Sequence, residues 1–185
     1  DKFIFSLGFM SEAIKTFFFY YYSDLSYQLS IESEPLGTGG AIKLAAEKTS
    51  EKNVLVLNGD TLFSIDVAPL YIKQKDSGAA CTLCLKPMQN FDRYGVVEID
   101  DTGLVTHFKE KQFYKQGLIN GGVYLINVTA LLQEDLPDKF SFESDYLEER
   151  VSEGKIYGIS QDEYFIDIGI PEDFERAQKE LLNFS

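Results

Sequence analysis

Short apolar runs, rich in β-branched and aromatic residues, alternate along the chain with longer stretches whose apolar positions recur at helical spacing. Such alternation is typical of α/β proteins, in which helices cover a mostly parallel sheet. The pattern predicts strands at 3–7, 27–32, 53–57, 80–86, 94–99, 104–109, 119–126, 155–159 and 164–167. It predicts helices at 10–20, 38–48, 67–76, 128–133, 143–152 and 171–183.

Two local signals refine this outline. Pro171 suits the first turn of a helix, and the acidic residues Glu172 and Asp173 suit the positive end of the helix dipole. Between residues 95 and 120, two alternating runs flank the turn sequence Asp-Asp-Thr-Gly at 100–103. We therefore predict a Rossmann-like, mostly parallel sheet with helices on its faces and a small antiparallel insertion.

Composition limits the classes of partner. The chain has 185 residues, and 17 basic against 30 acidic side chains give a net charge of −13, which argues against nucleic-acid and anionic-membrane partners. A hydrophobic fraction of 44% supplies a core, and because no linker or repeat divides the sequence, we predict a single domain over 1–185. With two cysteines and no signal segment, we expect a reduced, cytoplasmic protein.

A glycine-rich turn, Glu-Pro-Leu-Gly-Thr-Gly-Gly at 34–40, lies between a predicted strand and a predicted helix. Glycines let backbone approach a flat or anionic ligand closely, and a helix N-terminus offers unpaired N–H groups. The turn matches neither a Walker motif nor a dinucleotide fingerprint. Taken alone, such a turn is more often only a turn, so the binding hypothesis depends on its neighbours.

Two aspartates follow short apolar strands. Asp60 comes after the run at 53–57, and Asp167 ends the run at 164–167. Ligands of open α/β sheets bind at the carboxyl ends of the strands, where the two carboxylates would converge on one Mg²⁺ ion. The alternative for Asp60 is a helix cap. Lys111 is a candidate phosphate ligand, and its alternative is a solvated surface lysine.

Cys81, Cys84 and His107 are weaker signals. The C-x-x-C spacing falls on a predicted strand, which turns the two side chains to opposite faces, and no second pair completes a zinc set. His107, the only histidine, has no nucleophile motif near it in the sequence. We expect structural roles for all three.

Taken in order, the motifs resemble those of the sugar-phosphate nucleotidyltransferases, whose nucleotide-diphospho-sugar transferase fold is the α/β class predicted above. The resemblance covers most of the chain and rests on Leu36–Gly40, Asn58–Asp60, Tyr94–Val97, Glu110–Lys111, Asn120–Tyr124 and Phe165–Asp173. Three further segments, Phe91–Gly95, Gln116–Gly122 and Lys139–Glu143, are similar to the D-glycero-α-D-manno-heptose 1-phosphate guanylyltransferase branch, which is related to the mannose-1-phosphate guanylyltransferases.

The resemblance implies a reaction in which an NTP, best GTP, and a sugar 1-phosphate give an NDP-sugar and pyrophosphate. Asp60 and Asp167 would bind Mg²⁺, and with Lys111 they would form the catalytic set. Glu110, Gly95 and Asn120 would contact the sugar. The expected nucleotide-binding residues are Glu34, Pro35, Leu36, Gly37, Thr38 and Gly59.

Two departures from the family pattern leave alternatives open. The glycine-rich signature that ends in Thr-Arg, with a lysine after it, is absent from the 185 residues, so we expect an N-terminal βα segment to be missing from this sequence. Gln112 stands where the family has proline after Glu-Lys. The alternatives are a mannose- or glucose-1-phosphate enzyme, a non-catalytic sugar-nucleotide-binding module and, ranked last, a glycosyltransferase; a homo-oligomer is also open.

Overall fold

The computed structural model describes residues 2–183, so Asp1 and the last two residues of the predicted domain lie outside the described residues. Its strands are β1 (Phe3–Leu7), β2 (Tyr27–Ile31), β3 (Asn53–Leu57), β4 (Thr61–Phe63), β5 (Cys81–Phe91), β6 (Val96–Ile99), β7 (Val105–Lys109), β8 (Tyr114–Asn127), β9 (Ile156–Ser160) and β10 (Phe165–Asp167). Its α-helices are α1 (Ser11–Tyr21), α2 (Gly37–Ala46), α3 (Ala68–Ser77), α4 (Val128–Leu132) and α5 (Pro171–Glu180).

The α/β class predicted from the sequence is confirmed. Strands β1 and β2 pair in parallel with α1 between them in the chain, and β5 and β9 form a second parallel pair. Strands β6 and β7 form the antiparallel hairpin that the turn at 100–103 predicts. Helix α5 begins at Pro171, as predicted.

Two antiparallel pairings add to this picture. Strand β8 pairs with β5 inside a four-stranded sheet of order β3-β8-β5-β9. Strand β4 pairs with β10. The sequence pattern predicts no strand at 61–63, because three residues are too few to establish a period of two.

The prediction of one helix at 143–152 is wrong about the type of helix. A π-helix covers Phe142–Glu148, and a 3₁₀ turn covers Val151–Glu153. Phe142 and Tyr146 stack with ring centroids 5.1 Å apart, and both are buried together with Leu147. The wider turn of a π-helix sets residues four and five apart on one face, which buries this set of side chains.

Backbone contacts group the chain into two compact units. The first comprises Asp1–Val54 and Val128–Glu149, and the second comprises Leu55–Asn127 and Arg150–Ser185. The absence of a linker in the sequence predicts one domain over 1–185, and this stays a prediction. Each unit is described separately below.

In the first unit, aromatic side chains supply much of the packing. Phe18 of α1 contacts Phe5 and Tyr27 on the parallel pair β1–β2, with ring centroids 4.3 Å and 5.1 Å away. Phe140 and Phe142 are buried beside α2. Burial of aromatic rings of this size contributes strongly to stability.

In the second unit, Phe165 of β10 packs against two buried clusters. It contacts the cluster around Phe63 and Leu70, and also the cluster around Phe91 and Ile119. Its ring makes an edge contact with Phe63 at 5.5 Å. Because strand side chains alternate, Asp167 lies on the same side of β10 as Phe165, and the core therefore fixes the direction of the aspartate.

None of the helices within residues 2–183 combines the length and the apolar character that a membrane crossing requires.

Candidate active site

The two predicted metal ligands, Asp60 and Asp167, are brought side by side by the pairing of β4 with β10. Asp167 lies opposite Thr61, and the backbone N–H of Ile168 donates to the carbonyl oxygen of Asp60 at 2.9 Å. Asp60 is exposed and accepts a hydrogen bond from the Thr61 hydroxyl at 3.2 Å. Asp60 directly precedes β4 and Asp167 ends β10, so the two residues are backbone neighbours at one end of this strand pair.

The side chain of Asp167 accepts two hydrogen bonds and lies beside one guanidinium. The backbone N–H of Gly169 donates to Oδ1 at 2.7 Å, and the Tyr94 hydroxyl donates to Oδ2 at 2.9 Å. Arg93 Nη2 lies 3.5 Å from the same Oδ2. Burial, together with the hydrogen bond to Asp167 and the charge of that carboxylate, raises the pKa of Tyr94, so its hydroxyl stays protonated and remains a donor.

Arg93 joins this strand pair to the start of α5. Its Nη1 forms an ion pair with Asp173, whose other oxygen lies 3.1 Å from Arg176. The Arg93 guanidinium also lies over the Tyr94 ring, 5.4 Å from the ring centroid. Sequence reasoning missed these roles, although Arg93 and Tyr94 stand inside a quoted family motif, because no pattern in the sequence indicates which side chains meet Asp167.

The chemistry of this donor set fits a divalent cation that needs few protein ligands. Within residues 2–183, no group of three or more His, Cys, Asp or Glu residues is placed to hold a metal. Two neighbouring carboxylates suit Mg²⁺, which keeps waters and takes phosphate oxygens to complete its octahedron. Cys84 offers no ligand, since burial raises the pKa of its thiol to about 12, and Cys81 is buried.

The Asn-Gly-Gly motif of β8 lies against the loop that carries Asp60. The backbone N–H of Asn58 donates to the carbonyl of Gly122 at 2.9 Å. Gly122 has φ +70°, and a Cβ there would lie 2.9 Å from the side chain of Asn58. Asn120 uses Oδ1 to accept from Gly122 N–H at 3.1 Å, so part of this predicted sugar ligand shapes the backbone. In contrast, a Cβ at Gly59 would meet nothing within 4 Å.

Gly95 and Glu110, two of the predicted sugar contacts, are neighbours at the end of the β6–β7 hairpin. Val96 lies opposite Lys109, and a Cβ on Gly95 would come within 2.3 Å of the Lys109 carbonyl oxygen. Gly95 therefore permits a close approach between two strands of the chain. Glu110 is exposed immediately after β7.

Tyr114 fixes the turn that carries the predicted phosphate ligand Lys111. Its hydroxyl donates to the Glu110 carbonyl at 3.0 Å and accepts from Gln112 Nε2 at 3.0 Å. The Tyr114 ring packs against Phe91, with centroids 5.7 Å apart. The turn is therefore held by side-chain hydrogen bonds where the family pattern has proline, and Lys111 is exposed on it.

In the first unit, the glycine-rich turn accommodates a segment of the chain itself. A Cβ on Gly39 would lie 2.1 Å from the Phe140 ring, and one on Gly40 would lie 2.2 Å from the Asp138 carbonyl oxygen. The backbone N–H of Gly39 donates to the Phe140 carbonyl at 3.0 Å. These two glycines allow internal packing, and the Gly39 N–H at the start of α2 is already paired, which differs from the expectation of ligand contact.

Carboxylates dominate the rest of this turn. Thr38 accepts from the Phe142 N–H at 2.8 Å, and its hydroxyl donates to Glu143 at 3.1 Å. Glu32, which sequence reasoning missed, accepts from the Leu36 N–H at 3.0 Å. Acceptor oxygens beside the turn suit a ligand edge with N–H donors better than an anionic phosphate. Of the predicted nucleotide ligands here, those on the exposed surface are Glu34, Pro35, Gly37 and Thr38.

Two curated relatives of this chain carry the same name. The D-glycero-alpha-D-manno-heptose 1-phosphate guanylyltransferase of Aneurinibacillus thermoaerophilus is 48% identical over 184 residues, which are 100% of this chain and 80% of the relative. The protein of the same name from Campylobacter jejuni subsp. jejuni serotype O:2 is 44% identical over 171 residues, covering 92% of this chain and 75% of the relative.

A solved structure shows the same likeness. The crystal structure of HddC from Yersinia pseudotuberculosis superposes with a TM-score of 0.86 at 31% identity, covering 97% of this chain and 78% of that one. A second structure of HddC, complexed with GMP-PN, gives a TM-score of 0.84. The nucleotidyl transferase family matches residues 12–183. The resemblance inferred from the motifs is confirmed, and the chain belongs to the nucleotidyl transferase family.

Proposed function

We propose that this protein transfers a guanylyl group from GTP to D-glycero-α-D-manno-heptose 1-phosphate, with GDP-heptose and pyrophosphate as products. The observation that carries the proposal is the pairing of β4 with β10, which sets Asp60 beside Asp167. The choice of base and sugar is supported by the two relatives of this name, which are 48% and 44% identical.

The chemistry requires positioning more than covalent catalysis. An oxygen of the sugar phosphate attacks the α-phosphorus of GTP, a new P–O bond forms, and the bond to pyrophosphate breaks with its electrons. Asp60 and Asp167 would hold Mg²⁺, which offsets the negative charge gathered on the phosphate oxygens. In a chain of net charge −13, such local compensation is needed for phosphates to bind.

The remaining roles in the second unit follow from side-chain chemistry. Lys111 is an exposed cation on a turn that Tyr114 fixes, and it would bind the phosphate of the sugar substrate. The Glu110 carboxylate would accept hydrogen bonds from sugar hydroxyls, with Gly95 and Asn120 as further sugar contacts. The open space at Gly59 would let the nucleotide approach the backbone.

In the first unit, the turn at 34–38 would contact the base. Guanine presents N–H donors on its N1 and 2-amino groups. The turn carries the Glu34 carboxylate, and the carboxylates of Glu32 and Glu143 lie beside it, bonded to Leu36 and Thr38. Because the N–H donors of guanine would pair with these carboxylate acceptors, the turn would prefer guanine over adenine, whose N1 is an acceptor.

We also propose a cytoplasmic location for the protein. The substrates of the proposed reaction and the two buried, free cysteines support it.

The test is a substrate panel measured by pyrophosphate release. We expect turnover with GTP and the heptose 1-phosphate, dependence on a divalent cation, and slower reaction with mannose or glucose 1-phosphate and with ATP, UTP or dTTP. Equal rates with all sugars would contradict the proposed substrate. Tight binding of GDP-sugar without turnover would instead show that the protein is a sugar-nucleotide-binding module. Light scattering on the same preparation determines whether it is a homo-oligomer.

A further inference from the structure

The environment of the Asp167 carboxylate leaves it little freedom. Gly169 N–H occupies one direction on Oδ1, while Tyr94 and Arg93 both face Oδ2. An ionised carboxylate offers about four acceptor directions. Hydrogen bonds from Gly169 and Tyr94 take two of them, and the Arg93 guanidinium lies 3.5 Å from Oδ2, so the capacity left for a further ligand is mainly on Oδ1. The carboxylate is thus arranged to bind a cation through Oδ1.

Tyr94 is itself rigidly placed. Its ring makes an edge contact with Phe165 at 6.2 Å, within a cluster whose core is Phe91, Val96 and Ile119. The Arg93 guanidinium, which is anchored to Asp173, lies over the ring. A hydroxyl on a ring packed in this way keeps its direction, and the hydrogen bond transmits that direction to Asp167.

We infer that Tyr94 is a positioning residue, which orients the Asp167 carboxylate for the divalent cation through its hydroxyl, with Arg93 as a second support. The inference rests on the proposed function, which assigns Asp167 as a metal ligand. Groups that hydrogen-bond to metal ligands fix ligand orientation, and their loss typically weakens metal affinity about 10- to 100-fold. Tyr94 contacts no reacting atom in this assignment.

The test is Tyr94→Phe, which keeps the ring and removes only the hydroxyl. Mn²⁺ alone is the probe, and its binding to the native full chain and to the variant is followed by the electron paramagnetic resonance signal of the free ion. We expect the dissociation constant to rise about 10-fold. The matched control is Tyr164→Phe, which removes a hydroxyl that donates to Glu180 in the same unit, and we expect it to leave Mn²⁺ affinity unchanged.

A second readout separates positioning from a general structural role. In turnover, Tyr94→Phe should raise the Mg²⁺ concentration for half-maximal rate about 10-fold, and saturating Mg²⁺ should restore the maximal rate. Unchanged Mn²⁺ affinity would overturn the inference, as would a lower maximal rate at every Mg²⁺ concentration with unchanged half-saturation. If the native chain binds Mn²⁺ and Tyr94→Phe weakens that binding, but no sugar phosphate is turned over, the positioning role stands and the proposed function fails.

Discussion

The glycine-rich turn at the start of α2 and the aspartate pair formed by Asp60, just before β4, and Asp167 of β10 were both expected to bind ligand, yet they are built differently. At the turn, Gly39 and Gly40 make room for Phe140 and the Asp138 backbone. At the aspartate pair, the loop glycine Gly59 faces open space. A glycine in a motif therefore indicates a close approach, and only the structure identifies the approaching group.

The electrostatics of the two regions differ as well. Asp167 is surrounded by Tyr94, Arg93 and Gly169, whose donor groups face its carboxylate and hold its orientation. Around the turn, the Glu143 carboxylate accepts from the Thr38 hydroxyl and the Glu32 carboxylate accepts from the Leu36 N–H. The first arrangement suits a cation, and the second suits the donor edge of a base.

The largest expected effect comes from neutralising either aspartate. Asp60→Asn and Asp167→Asn keep the shape of the side chain and remove the charge that would bind the cation, so we expect the pyrophosphate release rate to fall more than about 100-fold. Asp162→Asn is the matched control, since Asp162 is an exposed partner of Lys86 in the same unit. Full activity in Asp60→Asn or Asp167→Asn would refute the metal assignment.

Gly39→Ala tests the packing role of the turn. Its Cβ would overlap the buried Phe140 ring, and overpacking of this kind costs about 1–3 kcal/mol of unfolding free energy. Denaturant titration measures the loss. Should Gly39→Ala be as stable as the native chain, the turn would have room for a ligand after all.

Gly59→Ala is the reciprocal change in the other region. Because a Cβ there meets nothing within 4 Å, we expect the unfolding free energy to stay within about 0.5 kcal/mol of the native value. The added methyl would occupy the space that the proposed function assigns to the nucleotide, so the KM for GTP should rise. An unchanged KM would remove Gly59 from the proposed nucleotide site.

The smallest effect is expected for Tyr114→Phe. Loss of its hydroxyl releases the Glu110 carbonyl and Gln112, each hydrogen bond contributing about 1 kcal/mol. The KM for the sugar phosphate should rise several-fold, while the KM for GTP stays constant. Equal changes in both constants would show that the turn does not act on the sugar substrate alone.

Most elements could be predicted from the sequence, because helix and strand periodicity is local. The predicted helix at 38–48 is observed as Gly37–Ala46, and the strand at 27–32 is observed as Tyr27–Ile31. The exceptions have physical causes. Strand β4 is too short to show a period, and the Phe142–Glu148 π-helix is decided by burial of its aromatic rings.

The sequence by itself determined the α/β class, the start of α5 at Pro171 and the family, since these depend on local patterns and ordered motifs. Only the tertiary structure decided which donors surround Asp167 and which ring fills the space at Gly39. Tyr94 and Phe140 are distant in sequence from the residues they contact. Such contacts form when strands and helices pack, and no local pattern of residue types specifies them.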